Sequence, residues 1–169
     1  SMNHWVMDYE TLCNCFVAVF KHYKSNDTRV FVIHELRDDS DSFIDFLREN
    51  VEERSFHISF NGLAFDGQVT NHIMENHEQW GKGEVFARKI YDFAQKTIDL
   101  INNRNFPPYA PWDLKIPHID VYKLNHWDNL AKRSSLKWIE YTMDWNNILD
   151  MPIEHYTEIT TQEEIDMII

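Results

Sequence analysis

The sequence is poor in the residues that mark secreted, membrane-spanning and phosphate-loop proteins. It has two cysteines and four glycines among 169 residues, and no glycine-rich phosphate loop, internal repeat or low-complexity stretch. No apolar run approaches the roughly 18 residues of a membrane span, and the N-terminus lacks a signal-peptide pattern. Cys13 and Cys15 lie in one predicted strand, with too little chain between them to close a disulfide. We therefore expect a reduced, intracellular protein without a membrane partner.

The chain also lacks an excess of basic residues. Its formal net charge is −12 at pH 7, which argues against binding nucleic acid mainly through a broad surface of Lys and Arg. The charge does not exclude a nuclease, because such enzymes can bring phosphate to carboxylates through divalent cations. The length and the hydrophobic content of 43% suit a single compact domain.

The hydrophobic pattern predicts a strand meander followed by alternating helices and strands. Strands are predicted over residues 5–10, 12–20, 29–34, 56–60 and 119–124. Helices are predicted after a cap at Ser40 or Asp41, over 65–76 and 84–103, after Ser134 and Ser135, and after a capping-box-like start at Thr160 and Thr161. Four of the five prolines fall within 107–117, which is predicted to be a loop. The fold class is therefore α/β with a mixed central sheet flanked by helices.

The first predicted strand carries two acidic residues on one face. Asp8 and Glu10 alternate with Met7 and Tyr9, so both carboxylates point the same way. One interpretation is an edge strand whose polar face is solvated. The other is a functional pair, because close carboxylates repel each other unless a cation or a proton lies between them.

A third carboxylate, Asp66, follows the predicted strand at 56–60, near the start of a helix. Alone it fits an acid stabilised by the helix dipole. Taken with Asp8 and Glu10, it places three carboxylates at strand ends, where α/β proteins build their sites. Such oxygen ligands suit Mg²⁺ or Mn²⁺.

Two stretches resemble known exonuclease motifs. Residues 5–11 (WVMDYET) and 61–66 (NGLAFD) are similar to the first and second motifs of the DEDD-type 3′-5′ exonucleases, which include the proofreading domains of phage-type DNA polymerases. Residues 118–124 (HIDVYKL) and 134–137 (SSLK) resemble a later strand and helix of that family, so the resemblance covers nearly the whole chain. It implies a ribonuclease H-like fold and metal-dependent removal of 3′-terminal nucleotides from single-stranded or frayed DNA.

The resemblance also implies roles for individual residues. Asp8, Glu10 and Asp66 would be catalytic and would hold Mg²⁺ or Mn²⁺ in a two-metal site. Substrate contacts are implied for Thr11, Leu12, Asn61 and Phe65, although Leu12 and Phe65 equally suit a hydrophobic core. The implied setting is the cytoplasm of a bacterial or phage-infected host, with a single-stranded DNA 3′ end as ligand and a polymerase domain in the natural chain.

The family's last motif, a helical Asp preceded by a Tyr or His, is not found. We expect either a C-terminally truncated chain or a motif that is missing by nature, and in both cases weak metal binding and poor degradation of DNA. Asp120 and Asp166 are candidate substitutes, although Asp166 also fits a surface acid. The alternatives are a nuclease-like module that binds a nucleic-acid end or a partner protein without cleaving, and a ribonuclease.

Residues 84–117 are interpreted as an insertion, a helix followed by the proline-rich loop. Its aromatic residues Tyr109 and Trp112 fit either stacking on bases or loop packing. The one concentrated basic region fits either a phosphate-tracking surface or a solvated face, and consists of Lys123, Lys132, Arg133 and Lys137.

Overall fold

The computed structural model describes residues 3–60, 65–121 and 158–169. The elements in chain order are β1 (Trp5–Leu12), β2 (Cys15–His22), β3 (Thr28–Ile33), α1 (Ser40–Glu52), β4 (His57–Ser59), α2 (Phe65–Asn76), α3 (Glu84–Asn102), β5 (His118–Asp120) and α4 (Gln162–Ile168). Short 3₁₀ turns occur at His77–Gln79 and Pro111–Asp113. None of the described helices is both long enough and apolar enough to cross a membrane.

The five strands form one mixed sheet in the order β3-β2-β1-β4-β5. The first three strands are antiparallel neighbours, as the predicted meander requires, and β4 and β5 run parallel to β1. The α/β class with a mixed sheet flanked by helices is thereby confirmed. Because β1, β4 and β5 are parallel, their carboxyl ends meet at one edge of the sheet.

Strand alternation divides the core between the two faces of the sheet. Met7 and Tyr9 of β1 belong to the larger cluster, under α1, α2 and α3. Leu12 belongs to a smaller cluster on the opposite face, where Ile165 and Ile168 of α4 pack. Asp8 and Glu10 share the parity of Leu12, so they lie on the face of the smaller cluster.

Several predicted boundaries hold, and others need correction. The helix at 65–76 is confirmed, and the helix predicted at 84–103 ends one residue earlier, at Asn102. The strand predicted at 119–124 does not continue through Val121, because β5 ends at Asp120 and Val121 is helical; residues 122–124 lie outside the described residues. The helix predicted after Ser134 lies outside the described residues.

The predicted cap of α1 is also wrong. The residue at the N-cap is Asp39, and its side chain makes no capping hydrogen bond. Instead its carboxylate accepts from the backbone N–H of Val32 at 2.9 Å and from Arg37 Nε at 2.8 Å. The competing partners lie in and after β3, so local sequence could not reveal them.

A two-residue turn separates β1 from β2, in a region predicted to be strand. Leu12 pairs with Cys15, so Cys13 and Asn14 form the turn and Cys13 is not in a strand. Both cysteines are buried and neither forms a disulfide, as expected. The Asn14 side chain accepts from Ile159 N and donates to Ile159 O, each at 2.7 Å. This pair of bonds joins the turn to the segment that leads into α4, whose predicted capping box between Thr161 and Glu164 is confirmed.

Candidate functional site

Asp8 and Glu10 lie side by side on one face of β1. Both side chains are half-buried, and their carboxyl groups are joined by a hydrogen bond. A hydrogen bond between two carboxyl groups requires one of them to be protonated. The predicted alternation is confirmed, and the pair lies together at the sheet face as expected.

Burial dominates the electrostatics of this pair. It raises the pKa of Asp8 to about 7, although bonds from Glu10 and from the Tyr9 backbone N–H oppose the rise. Burial, the charge of Asp8 and the hydrogen bond to Asp8 raise the pKa of Glu10 to about 9. We therefore expect the pair to share one proton at neutral pH.

Asp66 lies in the first turn of α2 and is almost completely buried, with 1% of its surface exposed. Burial and then the charges of Asp8, Glu10 and Asp120 raise its pKa well above the ordinary range, while a hydrogen bond from the Tyr9 backbone N–H lowers it. Its Oδ2 atom has no hydrogen-bond partner among the described residues. A buried oxygen without a partner costs free energy, which makes it a candidate ligand atom.

Tyr9 connects the strand to the helix that carries Asp66. Its hydroxyl lies 2.6 Å from Thr70 Oγ1, and the Thr70 hydroxyl also lies 3.0 Å from the backbone oxygen of Asp66. Burial raises the pKa of the Tyr9 phenol, so the hydroxyl keeps its proton. Tyr9, which lies between Asp8 and Glu10 in the sequence, therefore holds the start of α2 against β1. This contact fixes Asp66 relative to Asp8 and Glu10.

A second contact fixes α2 against β5. A Cβ atom added to Gly67 would lie 2.8 Å from Cβ and Cγ of His118, so the helix approaches β5 more closely than a residue with a side chain allows. His118 Nε2 lies 2.7 Å from Ser59 Oγ on β4. Burial lowers the pKa of His118 to about 4, which keeps its ring neutral. The position next to Asp66 is thus held by packing on two strands.

Comparisons with known proteins identify no relative. No family model, no curated protein and no solved structure matches the chain. The resemblance to DEDD exonucleases therefore stays a prediction.

The three predicted ligands are near one another but do not form a ready-made cation site. No three His, Cys, Asp or Glu side chains within residues 3–60, 65–121 and 158–169 form a group that could hold a metal ion. The Asp66 Oδ2 atom, unpartnered among the described residues, and the two adjacent carboxyls on β1 nevertheless fit the chemistry of a hard cation.

The predicted substrate residues occupy different environments. Thr11 is buried at the end of β1, and Leu12 is fully buried in the smaller core cluster. Phe65 begins α2 and is buried in the larger cluster. Asn61 lies outside the described residues, so its predicted contact stays a prediction.

The two candidate substitutes for the missing carboxylate differ. Asp120 ends β5 and is 4% exposed. It pairs with Ser59, which alternation places on the Met7 face of the sheet, opposite Asp8 and Glu10. Asp166 is exposed and accepts a hydrogen bond from Gln162 within α4, so its interpretation as a surface acid is favoured. The predicted basic region, from Lys123 to Lys137, lies outside the described residues.

The two loop aromatics also differ from each other. Tyr109 is half-buried and packs against the larger cluster, so loop packing is confirmed for it and stacking on bases is not. Trp112 is 85% exposed.

Sequence reasoning missed Phe106, which is 94% exposed, and the polar α2 residues Gln68, Asn71 and His72 that hold the loop. Their helical spacing was an available signal, but polar residues at such spacing usually form a solvated face.

Proposed function

We propose that this chain is a ribonuclease H-like domain that hydrolyses the 3′-terminal phosphodiester of single-stranded or frayed DNA in a metal-dependent reaction. The observation that carries the proposal is the buried Asp66 Oδ2 atom, which has no partner among the described residues and lies close enough to Asp8 and Glu10 for their charges to raise the pKa of Asp66. The strand order, with an antiparallel meander next to parallel β4 and β5, supports the same proposal.

The residues of this cluster would have separate roles in binding cations and in positioning the ligands. Asp8, Glu10 and Asp66 would hold divalent cations, which when bound supply an activated water and offset the charge of the scissile phosphate. Without a bound cation, a proton on the pair would keep the two close carboxylates from repelling each other. Tyr9 and Thr70 keep Asp66 at β1, which limits the rearrangement that ligand binding requires.

Digestion of a 5′-labelled single-stranded DNA with Mn²⁺ under enzyme excess tests the proposal. We expect slow shortening from the 3′ end, because the described part of the chain supplies three carboxylates and not four. Replacing Asp8 by Ala or Asp66 by Asn should abolish the shortening. Glu52→Gln, which neutralises an exposed acid on α1, is the matched control and should cut at the rate of the parent.

Two results would contradict the proposal. One is shortening that survives both Asp8→Ala and Asp66→Asn, which would place the chemistry elsewhere. The other is absence of cleavage together with absence of any calorimetric binding of Mn²⁺. A 5′-labelled RNA assayed in parallel distinguishes the deoxyribonuclease from the ribonuclease, since the carboxylates alone do not select the sugar.

A nuclease-like module that binds without cleaving is the second candidate. The observation in its favour is that the described carboxylates hold a shared proton and form no group suited to a metal ion. This candidate predicts that the chain binds a single-stranded oligonucleotide and that Mn²⁺ neither binds nor changes that affinity. Cleavage lost in Asp8→Ala would rule it out.

A further inference from the structure

The loop between α3 and β5, residues 103–117, is held to the protein at several points. Gln68 of α2 donates to Tyr109 O at 2.8 Å and accepts from Tyr109 N at 2.9 Å. The Tyr109 hydroxyl lies 3.0 Å from His72 Nδ1. Asn71 accepts from Lys115 N at 2.9 Å, and the backbone oxygen of Pro117 accepts from His57 N at 3.0 Å. Each bond fixes backbone or an inward-facing side chain, so the loop is ordered by its contacts.

Two aromatic rings project from this fixed loop into solvent. Phe106 is 94% exposed and Trp112 is 85% exposed, the highest values among the large hydrophobic residues that the structure describes. The ring between them in sequence, Tyr109, packs inward. A single exposed apolar residue is ordinary, but two rings of this size on one braced loop expose much apolar surface that folding does not use.

The loop begins its contact with α2 next to the proposed reaction site. Gln68, which holds Tyr109 by two hydrogen bonds, follows Asp66 by two residues in the same helix. The loop carries two basic residues, Arg104 and Lys115, and one acidic residue, Asp113, so its net charge is 2 − 1 = +1 in a chain of −12. Lys115 Nζ lies 3.6 Å from Glu75 Oε1 of α2, so the loop with this partner is close to neutral, and phosphate is repelled less by it than by the protein as a whole.

We propose that Phe106 and Trp112 form a stacking surface for the bases of a single-stranded nucleic acid. The choice of this ligand rests on the proposed function. Flat, exposed rings on a rigid backbone bind bases of any sequence, because every base offers a π-face. The surface would hold single-stranded chain outside the cluster of Asp8, Glu10 and Asp66.

Fluorescence anisotropy in EDTA tests the surface without cleavage, using labelled DNA and RNA of about 20 nucleotides, enough to reach across a binding surface. We expect Phe106→Ala and Trp112→Ala each to weaken Kd about five- to tenfold. Trp112→Tyr, which keeps a ring, should retain most of the affinity. Leu36→Ala is the matched control, because it removes a side chain that is 53% exposed next to β3, at the opposite edge of the sheet. Its Kd should equal that of the parent.

Unchanged Kd values in both alanine variants would overturn the proposal, and so would the absence of oligonucleotide binding. Self-association of the parent that Phe106→Ala and Trp112→Ala abolish would overturn it too, because the rings would then form a protein contact. Mn²⁺-dependent digestion by the same variants keeps the two proposals separate. If cleavage persists and both alanine variants bind the oligonucleotide as tightly as the parent, the exonuclease proposal stands and the stacking surface is refuted. If binding depends on the two rings but no DNA is cleaved, the stacking surface stands and the exonuclease proposal is refuted.

Discussion

At the scale of single residues, the proton shared by Asp8 and Glu10 makes stability depend on pH. The pKa of Glu10 rises from 4.5 to about 9 on folding, and that of Asp8 from 3.8 to about 7. A carboxyl whose pKa is raised stabilises the fold fully below its unfolded pKa, and this contribution is lost as pH rises through the folded pKa. We expect the free energy of unfolding in EDTA to fall by about 2 kcal/mol between pH 7 and pH 9. Urea denaturation measures it.

The buried histidines do not contribute to the loss of stability between pH 7 and pH 9. The pKa values of His57 and His118 are lowered to about 3 and about 4, so the stability they contribute is lost only as pH falls below about 6.5. Glu10→Gln should make the decline between pH 7 and pH 9 shallower, whereas Glu52→Gln should leave it unchanged. Part of the decline should remain, because burial also raises the pKa of Asp66 and of the Cys15 thiol. Mg²⁺ should stabilise the parent more at pH 9 than at pH 7, because it competes with the proton. An equally steep decline in Glu10→Gln would show that the decline does not come from the pair of Asp8 and Glu10.

The positions of the site residues were predictable to different degrees. The common face of Asp8 and Glu10 follows from the period of a strand, which is local. The proximity of Asp66 to them depends on the parallel pairing of β1 with β4, and the sequence indicated it both through the position of Asp66 after a strand and through the resemblance. The shared proton could not be predicted, because it depends on burial that the whole fold creates.

At the scale of elements, the close approach of α2 to β5 makes Gly67 sensitive. Replacing a helical glycine by alanine usually stabilises a protein by about 0.5–1 kcal/mol. Here the new Cβ would lie 2.8 Å from two atoms of His118, which is itself held against Ser59. We expect Gly67→Ala to reduce the free energy of unfolding by about 1–3 kcal/mol and to slow cleavage, since α2 carries Asp66.

Gly81→Ala is the matched control for urea denaturation. Its Cβ would meet only the methyl groups and Cβ of Val85, an exposed side chain, so its effect should stay within about 0.5 kcal/mol. A Gly67→Ala variant as stable as the parent would mean that His118 and β5 shift to accommodate the new methyl group. The start of α2 would then be less rigidly placed than the contact of Gly67 with His118 indicates.

Elements whose signals are local were predicted well. The apolar stripe of α3 and the capping box of α4 are encoded within one or two helical turns, and both are confirmed. The cap of α1 was mispredicted because Asp39 bonds to Val32 and Arg37 instead. The turn at Cys13 and Asn14 was missed because Asn14 takes its role from Ile159, far along the chain.

At the scale of the whole molecule, a net charge of −12 sets how the chain can meet nucleic acid. A protein that neutralises many phosphates with Lys and Arg loses affinity by about 10³-fold or more between 50 and 200 mM salt. Stacking on Phe106 and Trp112 displaces few counterions, so we expect the Kd for a single-stranded oligonucleotide in EDTA to change by less than about tenfold over that range. Anisotropy titrations in KCl measure how Kd changes with salt concentration.

A steep dependence of Kd on salt would instead indicate ion pairs with phosphate. The candidates are then the basic residues of the region that the structure does not describe, Lys123, Lys132, Arg133 and Lys137. Charge reversal at Lys132 and Arg133 separates the two cases, because it should leave a stacking-dominated affinity nearly unchanged and should abolish one that depends on phosphate contacts.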